Sequence, residues 1–258
     1  MRNRFVSQLL LVGAAALVLA SEAGAGDFYL TGNLAISTGT GQSGGSTDFF
    51  ANTGSDSDSA PAYGGAVGFG FELVEAIPRS WQMPLPGWAV RLEFEGMTGR
   101  EYELLTKGGP GYFSEVTAWT FMHDLWIDVP LHQPIAWAFG RMPILEPLVL
   151  YMGAGLGLST VDLDTTDNVS QGRAERFLFG WQAGIGFGYE LTQRVTLTAG
   201  YRYVDLGRPK VKLRIPPSTD PFGSFSMDLA AHEFNAGVRV SLYSIPYPEK
   251  WALHFDSR

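Results

Sequence analysis

Ten charged side chains recur at alternate positions in six segments of the chain: Glu72; Arg91, Glu93 and Glu95; Asp124 and Asp128; Glu190; Arg202; and Glu233 with Arg239. Tyr151 and Gln182 fall on the same phase of their own segments. Each of these polar positions alternates with a large apolar residue, so all twelve are expected on one face of extended strands. A confined face that carries both carboxylates and guanidiniums supports two chemistries. One is a lattice of ion pairs that fills a closed interior, because an unpaired charge there is costly. The other is a narrow cation-preferring water path, because the carboxylates outnumber the arginines.

A second row, Arg208, Lys210, Lys212 and Arg214, alternates with Val211, Leu213 and Ile215. This is the pattern of a hairpin with one basic edge, which suits phosphates of lipopolysaccharide or an acidic host polymer. A solvated strand face gives the same pattern and is the competing reading.

Other chemistry finds little support. The acidic segment Asp162, Asp164, Asp167, Asn168 has oxygen ligands, but an EF-hand loop starting at Asp162 needs Gly at 167 and Glu at 173, where Asp167 and Arg173 stand. Asp56 and Asp58 sit in a Gly- and Ser-rich stretch that reads as a solvated loop. His232 with Glu233 is the one suggestive acid–base pair, and alternation puts the two on opposite faces. No metal, cofactor or catalytic site is expected.

The elements that carry these residues follow from composition and period. Mean hydropathy is only +0.03, yet the 258 residues include 32 Gly, 7 Trp, 10 Tyr and 17 Phe and no Cys. Met1 to Ala25 has a basic start, an apolar stretch from Leu9 to Ala20, and Ala23-Gly24-Ala25, the pattern of a cleavable signal peptide. Its removal takes Arg2, Arg4 and Glu22 and moves the net charge from −8 to −9, which argues against a nucleic-acid partner. An exported chain without Cys has no disulfides to stabilise it. No later apolar stretch is long enough for a membrane helix, so any spanning structure must be a closed barrel.

Eight strands of about ten residues are expected: 28–37, 63–73, 88–98, 116–129, 148–160, 177–191, 195–205 and 231–242. One face of each is large and apolar. The other holds Gly, Thr, Asn, Gln and charges, the inverse of a soluble sandwich and the pattern of a narrow barrel in lipid. The expected fold is all-β, an eight-stranded antiparallel up-and-down transmembrane β-barrel over 26–243. Segments 38–62, 99–115, 161–176 and 206–228 are expected as long polar outer loops. The links 74–87 and 130–147 are expected at the periplasmic side, with Trp81 and Trp137 at the membrane interface. Residues 244–258 form a tail of unassigned role.

Tyr151-Met-Gly-Ala-Gly-Leu-Gly157, Gly180-Trp-Gln-Ala-Gly-Ile-Gly-Phe-Gly-Tyr189 and Tyr201-Arg-Tyr-Val-Asp-Leu-Gly207 resemble segments of the opacity-type outer-membrane β-barrel family. So do Leu92-Glu-Phe-Glu95, Phe121-Met-His-Asp-Leu-Trp-Ile-Asp128 and His232-Glu-Phe-Asn-Ala-Gly-Val-Arg239. The resemblance covers nearly all of the chain after the leader. It implies a bacterial outer-membrane location, a surface-antigen, adhesin or porin-like role without enzymatic activity, and an interior position for Arg91, Glu93, Tyr151, Arg202 and Arg239. Expected partners are outer-membrane lipids and lipopolysaccharide, the barrel-insertion machinery, and a host or surface ligand reached through the loops. The chain departs from the family at its end, where the closing aromatic position falls on Leu242 or Tyr243 and residues Ser244 to Arg258 follow. His123 falls on the lipid face. The leading functional reading is a surface protein with a plugged lumen; the alternative is a narrow porin-like channel for ions or small solutes.

Overall fold

The computed structural model describes residues 26–46, 54–72, 87–106, 111–131, 146–218, 220–221 and 223–245. The proposed leader, most of both long periplasmic links with Trp81 and Trp137, and the tail from residue 246 lie outside them.

The strands are β1 (Gly26–Ser46), β2 (Ser55–Glu72), β3 (Ala89–Thr106), β4 (Tyr112–Pro130), β5 (Leu148–Thr166), β6 (Gln171–Glu190), β7 (Val195–Gly207), β8 (Lys210–Leu213) and β9 (Gly223–Ile245). Neighbours in sequence pair antiparallel, and β1 pairs with β9 to close the ring. β8 continues β7. Both pair with β9, and the register β9 holds with Gly207 (to Leu229) resumes with Lys210 (to Ser226). Arg208 and Pro209 interrupt the strand because proline has no N–H to give to the ladder. The barrel therefore has eight staves, with no free edge through the membrane.

Each stave runs further outward than the hydrophobic pattern suggests. Segments 38–62, 99–115, 161–176 and 206–228 are not mainly loops: strand covers 38–46, 55–62, 99–106, 112–115, 161–166, 171–176, 206–207, 210–213 and 223–228. The reason is an exchange of faces. In the membrane, Leu30, Leu34, Leu125, Leu156, Phe179, Ile185, Phe187 and Val238 point outward and are exposed, while Gln182, Arg202 and Glu233 are buried inside. Further out, Tyr102, Leu104, Tyr112, Val116, Val161, Leu163, Val211, Leu213, Phe225, Met227 and Leu229 fill the interior, and Glu101, Glu103, Glu115, Asp164, Lys210 and Lys212 face solvent. A greasy exterior suits lipid and a greasy interior suits water, so the inversion marks where the barrel leaves the membrane.

Two staves change phase to make the switch. On β3 the inward positions Arg91, Glu93 and Glu95 are followed by Arg100, Tyr102 and Leu104, with a register shift between Met97 and Arg100. On β7 the shift lies between Asp205 and Gly207. Gly99 and Gly207, both at φ +85°, sit at these bulges, a backbone conformation that side chains with a Cβ resist.

Past the bulges the ring opens into two four-stranded sheets. Pairing of β2 with β3 stops at Tyr63–Thr98. Pairing of β6 with β7 stops at Trp181–Asp205, and one bridge, Gln171–Arg214, joins β6 to the end of β8. The outer parts of β3-β4-β5-β6 thus form one sheet and those of β8-β9-β1-β2 the other. The apolar cluster lies between them, as in a β-sandwich, with the Tyr112 and Phe225 rings 4.8 Å apart across it. Small residues on β1 admit large ones from β3: a Cβ on Gly39 would sit 2.6 Å from the Tyr102 ring. Side chains hold the seams where backbone pairing stops. Asp58 and Asp56 accept hydrogen bonds from the N–H groups of Glu103 (2.9 Å) and Leu105 (2.7 Å). Across the other seam, Arg176 Nε donates to the Lys210 carbonyl (2.9 Å) and Ser159 Oγ to that of Leu206 (2.5 Å).

Candidate functional site

The interior has three zones along its axis. The first is a vestibule of about 410 Å³ at the end where β1 begins, lined by Tyr29, Glu72, Arg91, Asp128, Glu190 and Arg239 among others. Its inner end is a charged lattice. Beyond the lattice lies the apolar core of the outer head.

The lattice has two clusters. In the lower one, Arg91 Nε donates to both Asp128 oxygens at 2.9 Å, and its Nη1 pairs with Glu93. Tyr29 donates to Glu93 (2.8 Å), and Arg239 reaches Asp128 at 3.2 Å. The Arg91 guanidinium also lies 5.6–6.0 Å from the rings of Tyr29, Trp126 and Tyr151, a cation–π cage. In the upper cluster, Arg202 Nη1 forks onto both Glu95 oxygens (2.7 and 2.9 Å) while its Nε meets Glu233 at 2.5 Å. Glu233 also accepts from Arg100 (2.6 Å) and Ser37 (2.7 Å). Gln182 bonds Asp124 (2.6 Å) and, more weakly, Glu95 (3.3 Å). Between the clusters a cavity of about 40 Å³ remains, lined by Asn33, Glu93, Glu95, Arg202 and Arg239 among others, enough for one or a few waters.

The structure brings Arg91, Glu93, Glu95, Asp124, Asp128, Gln182, Arg202, Glu233 and Arg239 into this lattice, with Tyr151 packed against it. It excludes Glu72 and Glu190. Both are exposed at the last residues of β2 and β6, where strand phase points them inward but water reaches them. Among the described residues, five lattice carboxylates therefore face four guanidiniums. The fourth, Arg100, is fully buried and was not anticipated, because β3 was expected to end at Thr98. The signal was present: after Gly99, Arg100, Tyr102 and Leu104 alternate with Glu101 and Glu103 in the opposite phase.

His123 lies on the outer face, its ring 5.0 Å from Phe94. His232 points outward and bonds Tyr201 Oη through Nδ1 at 2.6 Å, while Glu233 is buried on the other face. Among the described residues no group of three or more His, Cys, Asp or Glu side chains is arranged to hold a metal ion.

The basic row is also redistributed. Arg208 lies 3.5 Å from Asp228, and Lys210 faces outward. Lys212 and Arg214 line a groove of about 580 Å³ together with Arg173 and Arg176 of β6 and with Pro216, Pro217 and Ser218. The two β6 arginines were not anticipated, since their segment read as a loop. The acidic third loop reduces to a turn in which the Asp167 carboxylate accepts from the N–H groups of Val169 (2.9 Å) and Ser170 (2.5 Å).

A closed ring of staves with lipid-facing apolar rows and a polar lumen defines the class of small transmembrane β-barrels. A sequence model described as "outer membrane protein beta-barrel domain" matches residues 7–241, and the chain belongs to that family, which places it in the bacterial outer membrane. No curated protein sequence matches the chain. Several solved barrels are similar in fold. Neisserial surface protein A is 15% identical over 85% of this chain and 99% of its own, with a TM-score of 0.46. Ail, the attachment invasion locus protein of Yersinia pestis, is 10% identical over 83% and 99%, with a TM-score of 0.35. The outer membrane protease OmpT of Escherichia coli is 8% identical over 85% and 97%, with a TM-score of 0.40.

Proposed function

We propose that this protein is a non-conducting, non-enzymatic surface barrel, in which the membrane staves anchor a rigid outer head whose sides and loops are the working surface. The observation that carries this reading is the apolar core of the head. It lies in series with the charged lattice, so an ion that threaded the arginines and carboxylates would next meet a dry layer packed from both sheets, where an unpaired charge is strongly disfavoured. The lattice itself is a hydrogen-bonded filling: Glu233 alone accepts from Arg100, Arg202 and Ser37. Contacts with lipid tails belong to the apolar outer face of the staves, those with lipopolysaccharide or a host or surface ligand belong to the head, and insertion into the membrane belongs to the barrel-assembly machinery.

A narrow channel is the second reading. The excess of one lattice carboxylate favours it, since that imbalance would draw cations into the vestibule. Ion flux from proteoliposomes containing the folded, heat-modifiable protein separates the two. The sealed barrel leaves flux at the level of empty vesicles; a salt-dependent leak selective for cations assigns the channel.

A further inference from the structure

We infer that the groove between β6 and β8 binds the phosphate groups of a glycolipid of the outer leaflet. Three observations converge on it. The first is composition: Arg173 and Arg176 of β6 and Lys212 and Arg214 at β8 line a groove of about 580 Å³ in which, among the described residues, Asp164 is the single carboxylate. Three guanidinium forks and one ammonium form a donor set suited to phosphate oxygens. Arg173 pairs with Asp162 of β5 at 2.6 Å, and Arg176 is held toward β8 by the Lys210 carbonyl at 2.9 Å.

The second is construction. Arg202, Val204 and Leu206 occupy the inward phase of β7, the same phase as residues 210, 212 and 214. Uninterrupted, the strand would turn those three cations into the apolar core. The bulge at Gly207 reverses the phase, so that Val211 and Leu213 go inward and Lys210, Lys212 and Arg214 face out beside β6. Backbone pairing is suspended over the same stretch, between Trp181–Asp205 and Gln171–Arg214. That suspension leaves Arg176 exposed although it has the inward phase of Gly180 and Gln182.

The third is height. Arg176 directly adjoins Phe177, and Phe177 and Phe179 are 59% and 63% exposed at the upper end of the lipid-facing row of β6. The groove therefore starts at the level of the leaflet headgroups and rises from there. Basic pockets at this level are suited to lipid phosphates, whereas a polymer in the medium would meet the far end of the head first. This inference rests on the outward orientation of the head and not on the sealed lumen, so it can fail while the non-conducting reading stands, and the reverse.

The test uses the full-length folded barrel in neutral detergent, with bisphosphorylated lipid A as the probe and retention read by native mass spectrometry. Three comparisons are made: chemically dephosphorylated lipid A, inorganic pyrophosphate, and heparin. Retention of the bisphosphorylated form is expected to fall by at least about tenfold in the variant Arg173→Gln/Arg176→Gln/Lys212→Gln/Arg214→Gln, and to fall likewise as salt approaches about 1 M, where screening acts within about 3 Å. The dephosphorylated form should be retained poorly by both proteins. Because all four positions are exposed, the variant should remain heat-modifiable; Arg208→Gln/Arg194→Gln serves as a control with two cations removed outside the groove and normal retention. Equal retention of the two lipid A forms, or undiminished retention by the quadruple variant, would overturn the assignment. So would binding of pyrophosphate or heparin without lipid A, which would make the site one for a soluble anion.

Discussion

Arg100 and Glu233 meet at 2.6 Å with both side chains wholly shielded from solvent, although 133 positions separate them in the chain. The pair ties the outer start of β3's second phase to β9 at the boundary between the polar lumen and the apolar head. Glu233 also holds Arg202, which keeps Glu95 besides, so loss of the carboxylate leaves Arg100 without its carboxylate partner, while loss of Arg100 leaves Glu233 still paired with Arg202.

Breaking a buried pair from one side typically costs about 3–5 kcal/mol. Arg100→Met should therefore lower unfolding stability by about that amount in urea titrations of the barrel in lipid. Glu233→Gln should cost at least as much. The double variant should cost clearly less than the two singles together, because the two side chains are in direct contact and removing both leaves no buried guanidinium facing a missing carboxylate. Additive losses would mean that the two side chains do not share one site.

The two aspartates of the lattice should behave oppositely. Asp128 receives Arg91 and Arg239, while Asp124 is held by Gln182 and, among the described residues, forms no ion pair with an arginine. Asp128→Asn should destabilise by about 3–5 kcal/mol. Asp124→Asn removes a buried charge that lacks a counter-ion and should be neutral or stabilising. Equal losses in the two variants would show that Asp124 is paired in the folded barrel.

The sequence revealed most of the membrane part and little of the head, for a physical reason. Alternation with a greasy face identifies a stave only while the outside is lipid. Where the outside becomes water, the same strand shows its apolar residues on the opposite face, and β3 and β7 also slip phase at Gly99 and Gly207. A reader following one phase meets charges at Glu101, Glu103, Lys210 and Lys212 and sees loops. Arg100 was lost for that reason, as were Arg173 and Arg176. The lattice residues of β4, β5 and β9 were legible because those staves keep one phase throughout. Glu72 and Glu190 share the inward face as expected but stand in the vestibule outside the ion-pair lattice, because phase reports the face and not the depth.

Tightness between the sheets can be tested without disturbing the membrane part. Gly39→Val on β1 should push against the Tyr102 ring and loosen the head, an overpacking cost of about 1–3 kcal/mol. Limited proteolysis should then cut the outer part of the staves while the membrane part stays heat-modifiable. An unchanged digestion pattern would show that the sheets are not packed at that position.

At the β5–β6 turn, partial burial works against the Asp167 carboxylate, but the backbone N–H groups of Ser170 and Val169 outweigh it and hold its pKa below the usual value. A depressed folded pKa means that the stabilisation is present above the unfolded value, about 3.9, and is lost as pH falls through the lower folded value. Amide exchange at Ser170, corrected for its intrinsic pH dependence, should therefore be slow near neutrality and accelerate only in strong acid. In Asp167→Asn that step should disappear. A Ser170 amide equally protected at all pH values would contradict the turn geometry.

Single-channel recording in a planar bilayer tests the central claim most directly, with wild type and Arg202→Ala compared after each is shown to be folded. The account predicts silence from both, because removing one guanidinium opens the lattice but leaves the core around Tyr102, Tyr112 and Phe225 in series above it. Reproducible steps from the wild type that Arg202→Ala enlarges would contradict it, and would make the lattice the gate of a conducting pore.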